Sequence, residues 1–229
     1  MNKSDYFIQL NQVTKDYQLG KVIVPALKGV SLGIGLGEFT VIAGPSGSGK
    51  TTLLNLIGCV DTATSGQVIV AEKDTARLTE VELTDLRLHT IGFIFQSFNL
   101  ISVLNVVDNV EFPLLLQKKI SKAERKERVL HFVEKVGLQG HLNHRPNELS
   151  GGQRQRVAIA RALVTQPKIV LADEPTANLD SKTGQTIIDL MKHINETEKT
   201  TFLFSTHDHH IIQHARRVIE LQDGLITKS

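Results

Sequence analysis

The order of apolar and polar positions predicts a chain in which short strands alternate with helices. Apolar and polar residues alternate in Phe7–Val13, as in a strand with one buried face, and Val22–Leu32 is predicted to be a second strand. Short, largely apolar runs, typical of strands that are buried on both faces, follow later in the chain. These runs are Phe39–Ala43, Ile91–Phe95, Lys168–Ala172 and Thr200–Ser205, and Val218–Ile226 is predicted to form a C-terminal hairpin.

The segments between these strands carry the signals of helices. In a capping box, the side chains of the N-cap residue and of the third helical residue each accept a hydrogen bond from the other's backbone N–H. Thr79–Glu82 and Ser121–Glu124 have this spacing, so helices are predicted to begin there. Two more helices are predicted, one from Ser150 to about Thr165 and one that begins at Asp180 or Ser181.

Strands that alternate with helices imply a mainly parallel sheet with helices on both faces, so the predicted fold class is α/β. The N-terminal strands are expected to form a small antiparallel β subdomain. The stretch from about 79 to 166 is rich in helix signals and is predicted to be an inserted α-helical subdomain. The prediction is therefore a single domain over residues 1–229, with the α/β core in about 1–78 and 167–229.

Composition narrows the class of protein. The 229 residues include 26 basic and 24 acidic side chains, and a net charge of +2 lacks the basic excess that is typical of nucleic-acid binding. Cys59 is the only cysteine, so no intramolecular disulfide can form, and its side chain is expected to pack as a small apolar group. No segment approaches the roughly 20 apolar residues that span a bilayer, and the N-terminus lacks a signal-peptide pattern. A cytosolic protein is expected.

Residues 44–51, GPSGSGKT, match the phosphate-binding P-loop pattern GxxxxGK[ST] at every fixed position. Glycines let several backbone N–H groups converge on one anion, and the following helix adds the positive end of its dipole. Lys50 is predicted to act catalytically on the β- and γ-phosphates, and the Thr51 hydroxyl is a hard oxygen ligand for Mg²⁺. A glycine-rich turn without a ligand is the alternative, but the motif lies between a predicted strand and a predicted helix. The predicted nucleotide-binding residues here are Gly44, Pro45, Ser46, Gly47, Ser48, Gly49, Lys50, Thr51 and Thr52.

Two adjacent carboxylates follow the predicted strand Lys168–Ala172. Ligands of α/β sheets collect beyond the carboxyl ends of the strands, so Asp173 and Glu174 are expected to face the phosphates. Asp173 would hold Mg²⁺, and Glu174 would be the catalytic residue that polarises the attacking water. The alternative is that both acids only end a strand at the surface, and the presence of the P-loop argues against it.

A second anion site is predicted at the start of the helix after Ser150. Ser150 is a good N-cap, and Gly151 and Gly152 expose backbone N–H groups at the positive end of the helix. An ordinary capped helix would need neither both glycines nor Gln153. The run Leu149–Gln153 matches the signature motif of the ABC ATPases in full, and the chain resembles that family over nearly its whole length.

This resemblance implies roles for four further residues. Tyr17 stands where the family keeps an aromatic that stacks on adenine, and Gln96 stands at the Q-loop glutamine, a Mg²⁺ ligand and sensor of the membrane partner. Asp180 falls in the D-loop, and His207 falls at the catalytic switch histidine that contacts the γ-phosphate. Alternatives stay open for each: a surface aromatic, a solvated loop residue, a simple helix N-cap and a metal site formed by His207, His209, His210 and His214.

The resemblance also implies the fold type, cofactors and partners. The core would be a P-loop NTPase (RecA-like) sheet that binds ATP and Mg²⁺. In this family the P-loop of one subunit faces the signature motif of another, so Ser150–Gln153 and Asp180 would act in trans within a dimer. Integral membrane permease subunits, encoded separately, would place the chain peripherally on the cytoplasmic face of the inner (plasma) membrane. No nucleic-acid partner is implied.

Within the family, the sequences of Asn55–Cys59 and Ile91–Leu100 are similar to those of the lipoprotein-releasing and macrolide-export group. An ATP-hydrolysing motor for export, lipoprotein release or mechanotransmission is therefore expected. An importer ATPase remains an alternative because this subunit carries no cargo pocket, and so does a non-transport ABC ATPase, although the chain lacks a long coiled-coil insertion. The turn Val70–Asp74 lacks a glycine that many relatives have, which leaves the subgroup and the cargo open.

Overall fold

The computed structural model describes residues 6–117, 119–213 and 215–229, and of His209 and His210 it describes the backbone alone. Its central sheet has six strands in the order β10–β9–β3–β8–β7–β6. Neighbouring strands are parallel except in the hairpin of β9 and β10, as predicted. The strands are β3 (Phe39–Ala43), β6 (Ile91–Ile94), β7 (Ile169–Asp173), β8 (Thr201–Thr206), β9 (Arg217–Gln222) and β10 (Leu225–Lys228).

A second, antiparallel sheet has the order β2–β1–β4–β5. The alternating pattern predicted a first strand that ends at Val13, but β1 continues to Leu19. The reason is a bulge: the register shifts between Leu10 and Val13, and Gln12 has φ 50°. A bulge resets the alternation of faces without ending the strand. The strands are β1 (Ile8–Leu19), β2 (Val22–Ile34), β4 (Ser65–Val70) and β5 (Lys73–Asp74).

The two-residue turn between β4 and β5 is built without glycine. Val70 pairs with Lys73, and the intervening Ala71 and Glu72 have φ angles of 49° and 65°. This left-handed conformation favours Asn or Gly in hairpin turns of this kind. The missing glycine noted in the sequence therefore leaves a strained turn that the flanking strands hold in place.

Seven α-helices lie within the described residues, and four of them begin at the predicted caps Thr79, Ser121, Ser150 and Asp180. Thr79 forms the predicted capping box with Glu82, whereas Ser121 only accepts a hydrogen bond from the backbone N–H of Glu124. None of the described helices is long and apolar enough to cross a membrane. The helices are α1 (Lys50–Ile57), α2 (Glu80–Thr90), α3 (Val106–Glu111), α4 (Lys122–Lys135), α5 (Gly151–Leu163), α6 (Ser181–Glu198) and α7 (His209–Ile212).

The central sheet separates two hydrophobic cores. Val41 and Phe204 belong to a core shared with α3, α4, α5 and α6, whereas the neighbouring Ile42 and Leu203 belong to a core shared with α1 and the antiparallel sheet. Strand β6 lies inside the segment 79–166 but pairs with β7 in the central sheet, and the division into two subdomains stays a prediction. Because β3, β7 and β8 are parallel neighbours, their carboxyl ends meet at one edge of the sheet. This edge carries the P-loop and the two predicted carboxylates.

Candidate nucleotide-binding site

The P-loop connects β3 to α1 and requires glycine at specific positions. Gly49 is the N-cap of α1 with φ 102°, and a Cβ there would lie 2.6 Å from the carbonyl oxygen of Ala26. A Cβ on Gly44 would lie 2.1 Å from the carbonyl oxygen of Leu221. A Cβ on Gly47 (φ 79°) would meet no atom within 4 Å, so the protein leaves the space beside it open. A loop of this kind can bring its backbone close to an anion.

Lys50 is held over the loop by hydrogen bonds from its own ammonium group. Its Nζ donates to the carbonyl oxygens of Gly44 and Pro45, each at 2.8 Å, and lies 3.9 Å from a carboxylate oxygen of Glu174. Only 5% of the side chain is exposed. The ammonium group is thus fixed at the loop, where it can donate a charge-assisted hydrogen bond to an anionic ligand.

The loop opens onto a cleft of about 380 Å³. Most of the predicted site residues line it, together with one residue that the sequence did not single out, Ala26. Gly44, Pro45 and His207 line an adjacent cavity of about 430 Å³, and Ser48 is buried. The predicted residues that line the cleft are Tyr17, Ser46, Gly47, Gly49, Lys50, Thr51, Thr52, Gln96, Asp173 and Glu174.

Asp173 ends β7 and accepts two hydroxyl hydrogen bonds. One comes from Thr51 (Oγ1 to Oδ2, 2.8 Å) and the other from Ser205 at the end of β8 (Oγ to Oδ1, 2.6 Å). Ser205 in turn accepts a hydrogen bond from the backbone N–H of Glu174 at 3.0 Å. A carboxylate beside a threonine hydroxyl is an all-oxygen donor set, which suits Mg²⁺.

Glu174 is the residue after β7 and has a strained backbone. Its φ is 44°, in the left-handed region that non-glycine residues rarely adopt. Its Oε1 lies 3.0 Å from Nδ1 of His207, and its side chain is 18% exposed. The structure therefore places the Glu174 carboxylate near both Lys50 and His207, and the catalytic roles of the three residues stay a prediction.

The signature motif lies outside the cleft. Ser150 caps α5 in a complete capping box, in which its Oγ accepts from the N–H of Gln153 at 3.3 Å and its own N–H donates to Oε1 of Gln153 at 2.8 Å. A hydroxyl that accepts in this way can still donate its hydrogen to another acceptor. None of Ser150, Gly151, Gly152 and Gln153 lines the P-loop cleft of its own chain.

Asp180 is the N-cap of α6, so the alternative raised for it is correct at least in part. Its Oδ1 accepts from the N–H of Thr183 at 3.0 Å, and hydrogen bonds from Thr183 hold the pKa of Asp180 below its usual value. A helix-capping role does not exclude a contact with a second copy of the chain, because the side chain is exposed.

The Q-loop, the segment that begins at Gln96, is hydrogen-bonded to two other parts of the chain. The carbonyl oxygen of Gln96 accepts from Nδ2 of Asn178 at 2.7 Å, and Asn178 also lies beside the signature motif, 3.7 Å from the Cβ position of Gly151. Arg161 of α5 donates to the carbonyl oxygens of Phe98 and Asn99, which have φ angles of 61° and 48°. These contacts join the Q-loop to the D-loop and to the signature helix within one chain.

Of the four histidines that were considered as a metal site, the structure describes the side chain of His207 alone. His207 contacts Glu174, but the side chains of His209 and His210, and His214 as a whole, lie outside the described residues. Within the described part of the chain, no group of three or more His, Cys, Asp or Glu residues could hold a metal ion. Cys59 is buried as predicted, and burial raises the pKa of its thiol to about 11.

Sequence reasoning missed three side chains that support the site. Ser205 joins Asp173 to the backbone of Glu174, and Lys15 and Asp61 contact Tyr17. The sequence pattern could have indicated Ser205, since it is a polar residue near the end of an apolar strand. The contact between Asp61 and Tyr17 joins residues that are 44 positions apart, and no local pattern indicates it.

Replacing Ser205 by Ala is expected to lower both Mg²⁺ affinity and turnover by about tenfold or more, because side chains that orient metal ligands commonly contribute 10- to 100-fold. The substitution removes a donor to Asp173 and the acceptor of the Glu174 N–H. The measurement is the Mg²⁺ dependence of ATP hydrolysis by the purified variant. Ser205→Thr, which keeps the hydroxyl, is the matched control, and an unchanged Mg²⁺ midpoint in Ser205→Ala would contradict the role.

The sequence of this chain is similar to those of known proteins. A profile of the ABC transporter family matches residues 27–177. The chain is similar to the ABC transporter ATP-binding protein MJ0796 of Methanocaldococcus jannaschii, with 48% identity over 224 residues that cover 96% of this chain and 95% of that protein. It is also similar to the macrolide export ATP-binding/permease protein MacB of Rhodopirellula baltica, with 45% identity over 96% of this chain but only 32% of that protein.

Two solved structures share the fold. A dimeric structure of MJ0796 has a TM-score of 0.89 and 48% identity, with 96% of this chain and 97% of that chain covered. A second dimeric structure of MJ0796, in a post-hydrolysis state bound to ADP and Pi, has a TM-score of 0.88 and 47% identity over the same shares. The predicted α/β fold of the P-loop NTPase type is thereby confirmed.

Proposed function

The chain belongs to the ABC transporter ATP-binding family, and on this premise we propose that it is the Mg²⁺-dependent ATPase subunit of a transporter and works as a dimer. One observation carries the proposal. The P-loop, Asp173, Glu174 and Gln96 converge on one cleft, while the signature motif of the same chain lies elsewhere. A second copy of the chain would supply the signature motif that this cleft lacks.

The residues of the cleft fit a nucleoside triphosphate with its metal ion. The P-loop backbone would hold the phosphates, and Lys50 would contact the β- and γ-phosphates as a point charge. Thr51, Asp173 and Gln96 supply oxygen atoms, the donors that Mg²⁺ prefers. When bound, Mg²⁺ would neutralise charge that develops on the phosphates.

Hydrolysis needs a group that orients water against the γ-phosphate. Glu174 is suited to this because its carboxylate is mostly buried, lies beside Lys50 and is contacted by His207. Phosphoryl transfer depends mainly on positioning and charge stabilisation, so a fixed carboxylate is sufficient. His207 would hold the Glu174 side chain and reach the γ-phosphate from the same side.

The dimer would complete each site. Ser150 and the exposed N–H groups of α5 form a helix start that can bind an anion, and Ser150 can donate its hydroxyl hydrogen while it caps the helix. Facing the P-loop of a second copy, this helix start would contact the γ-phosphate. Asp180 and Gln153 would lie at the same interface between the two copies. The similarity to MJ0796, whose solved structures are dimeric, supports this arrangement.

A membrane partner would dock beside the Q-loop. An apolar groove of about 300 Å³ lies at the β6 edge of the sheet, and its exposed residues include Phe95 (40%), Phe112 (43%) and Leu116 (60%). We infer that a helix of a separately encoded permease subunit occupies this groove, which would place the chain on the cytoplasmic face of the membrane. Residues 79–166, apart from β6, would form the helical subdomain that carries this contact.

The direction of transport is proposed to be export or release from the membrane. The support is the similarity to MacB, a longer chain that is described as a macrolide export ATP-binding/permease protein. An importer ATPase would present the same cleft, so the identity of the co-purifying membrane protein decides between the two.

The proposal is tested on the purified protein and on membrane extracts. ATP hydrolysis is expected to require Mg²⁺ and to vanish with EDTA, and integral membrane proteins are expected to co-purify with the tagged chain. Leu116→Glu is expected to abolish co-purification without changing the ATPase rate of the isolated chain. The control is Leu225→Glu, at the opposite edge of the sheet and also exposed (46%), which retains the partner. Absence of any membrane partner for the unaltered chain would refute the transporter role.

A further inference from the structure

A cluster of polar side chains lies behind the tyrosine at the edge of the cleft. We propose that Lys15 and Asp61 form a clamp that holds the Tyr17 ring in position to stack on the base of the bound nucleotide. The proposal rests on the proposed function, since it assumes that a nucleotide occupies this cleft. In this proposal Lys15 and Asp61 are positioning residues, and of these three side chains only that of Tyr17 would contact the nucleotide.

The clamp is held together by several hydrogen bonds that meet at Asp61. The Tyr17 hydroxyl donates to Oδ2 of Asp61 at 2.9 Å, and the Lys15 ammonium donates to Oδ1 of Asp61 at 2.6 Å and to the carbonyl oxygen of Thr62 at 2.8 Å. The backbone N–H of Thr62 also donates to Asp61 at 2.7 Å. The Lys15 and Asp61 side chains are only 12% and 28% exposed, so water competes weakly for these bonds.

The ionisation of the cluster favours the same arrangement. Burial acts to raise the pKa of Asp61, but the hydrogen bonds from Lys15, Thr62 and Tyr17 outweigh it and leave that pKa below its usual value. Burial is also the main reason that the pKa of Tyr17 lies above its usual value. At neutral pH, Asp61 is therefore an acceptor and Tyr17 a donor.

Lys15 fixes which face of the ring is available. Its Nζ lies 4.9 Å from the centre of the Tyr17 ring, in the geometry of a cation–π contact. Tyr17 lines the cleft with Ala26 and Thr52, whereas Lys15 is not among the lining residues. The base would then stack on the ring face that the Lys15 ammonium does not cover. An aromatic face of this kind provides a platform for a nucleic-acid base.

The clamp also connects the two ends of the nucleotide site. Asp61 follows α1, and the backbone N–H groups of Val60 and Asp61 both donate to the carbonyl oxygen of Asn55 within that helix. The start of α1 is the P-loop. The same short helix therefore carries the phosphate site at one end and, through Asp61, fixes Tyr17 at the other.

Outside the clamp, the side chain of Tyr17 is held by a hydrogen bond with Thr52, which lines the same cleft. Tyr17 lies near the tip of the β1–β2 hairpin, where its strand partner is Val24 and where Leu19 and Ile23 are more than 60% exposed. Without Asp61 and Lys15, Thr52 alone would hold the hydroxyl, so the ring would sample more rotamers and would lose that freedom on binding. Immobilising one side chain weakens binding by about three- to tenfold, which sets the expected effect.

The test compares ligands with and without a base. Lys15→Met and Asp61→Ala are each expected to weaken Mg-ADP binding about three- to tenfold by calorimetry and to leave Mg-pyrophosphate binding unchanged. The KM for ATP is expected to rise while kcat at saturation stays within about twofold, because positioning of the base contributes to binding rather than to the chemical step. Tyr17→Phe, which keeps the ring and removes only the bond to Asp61, is expected to have a smaller effect of the same kind.

The outcomes separate the clamp from the proposed function. Tyr17→Ala serves as the reference for loss of the ring. If Tyr17→Ala weakens ADP binding but Lys15→Met and Asp61→Ala do not, the clamp is refuted and the nucleotide site stands. If Tyr17→Ala has no effect, the base lies elsewhere and the proposed role of Tyr17 fails. Equal losses for ADP and pyrophosphate would mean that the cluster only stabilises the fold, and this result would also overturn the clamp.

Discussion

Replacing Glu174 by Gln will lower the ATPase rate by at least about a hundredfold, the usual contribution of a group that activates a nucleophile in its transition state. The amide has nearly the same shape as the carboxylate, so ATP binding is expected to persist. Because hydrolysis then no longer separates the two copies, an ATP-bound dimer is expected to accumulate. The measurements are phosphate release and light scattering with saturating Mg-ATP.

The structure explains why this single oxygen-to-nitrogen change is expected to act so strongly. The carboxylate is mostly buried between Lys50 and His207, and strained backbone geometry fixes it there. Glu196→Gln is the matched control, since Glu196 is an exposed carboxylate of α6 that pairs with Arg216, and it is expected to keep full activity. Turnover that is unchanged in Glu174→Gln would exclude Glu174 as the residue that orients water.

Mixing two inactive variants is expected to restore hydrolysis. Lys50→Met removes the charge of the P-loop, and Ser150→Asp keeps a good helix N-cap but places a negative charge where a phosphate would bind. A heterodimer of the two contains one site with an intact P-loop and an intact signature motif. Random pairing gives half heterodimers with one of two sites active, so the mixture is expected to regain about one quarter of the unaltered rate, given two-fold symmetric dimers.

This experiment distinguishes composite sites from sites within one chain. If each chain used only its own residues, Ser150→Asp would hydrolyse ATP at the normal rate, because Ser150 does not line the cleft of its own chain. Circular dichroism and thermal unfolding of each variant show whether the single substitutions disturb the fold. A mixture no more active than its components, with both variants folded and inactive, would contradict the composite site.

Much of the fold could be predicted because strong local signals coincide with real elements. The strand Phe39–Ala43, the P-loop and a helix that begins near Gly49 were all predicted from one stretch of sequence, and the capping box at Thr79 marked α2 correctly. The carboxyl-end rule for parallel strands also placed Asp173 and Glu174 at the P-loop edge. These predictions succeeded because each depends on residues that are close in sequence or on the order of elements alone.

Other features depend on contacts that no local pattern reports. Strand β1 was predicted too short because the bulge at Gln12 breaks the alternation while the ladder continues. The hydrogen bonds of Ser205 to Asp173, and of Tyr17 to Asp61, join residues on different elements whose register is set only by tertiary packing. The roles assigned to the site residues by resemblance remain predictions that the experiments above address.

The bond between Asn178 and the carbonyl oxygen of Gln96 has a consequence for the assembled dimer. Gln96 lines the cleft of its own chain, and Asn178 lies against the helix tip that the chain would offer to the other copy. A nucleotide that shifts Gln96 in one cleft would therefore also shift part of the opposite cleft. Affinity at each ATP site would then depend on occupancy of the other, and saturation with ATP would depart from a hyperbolic curve.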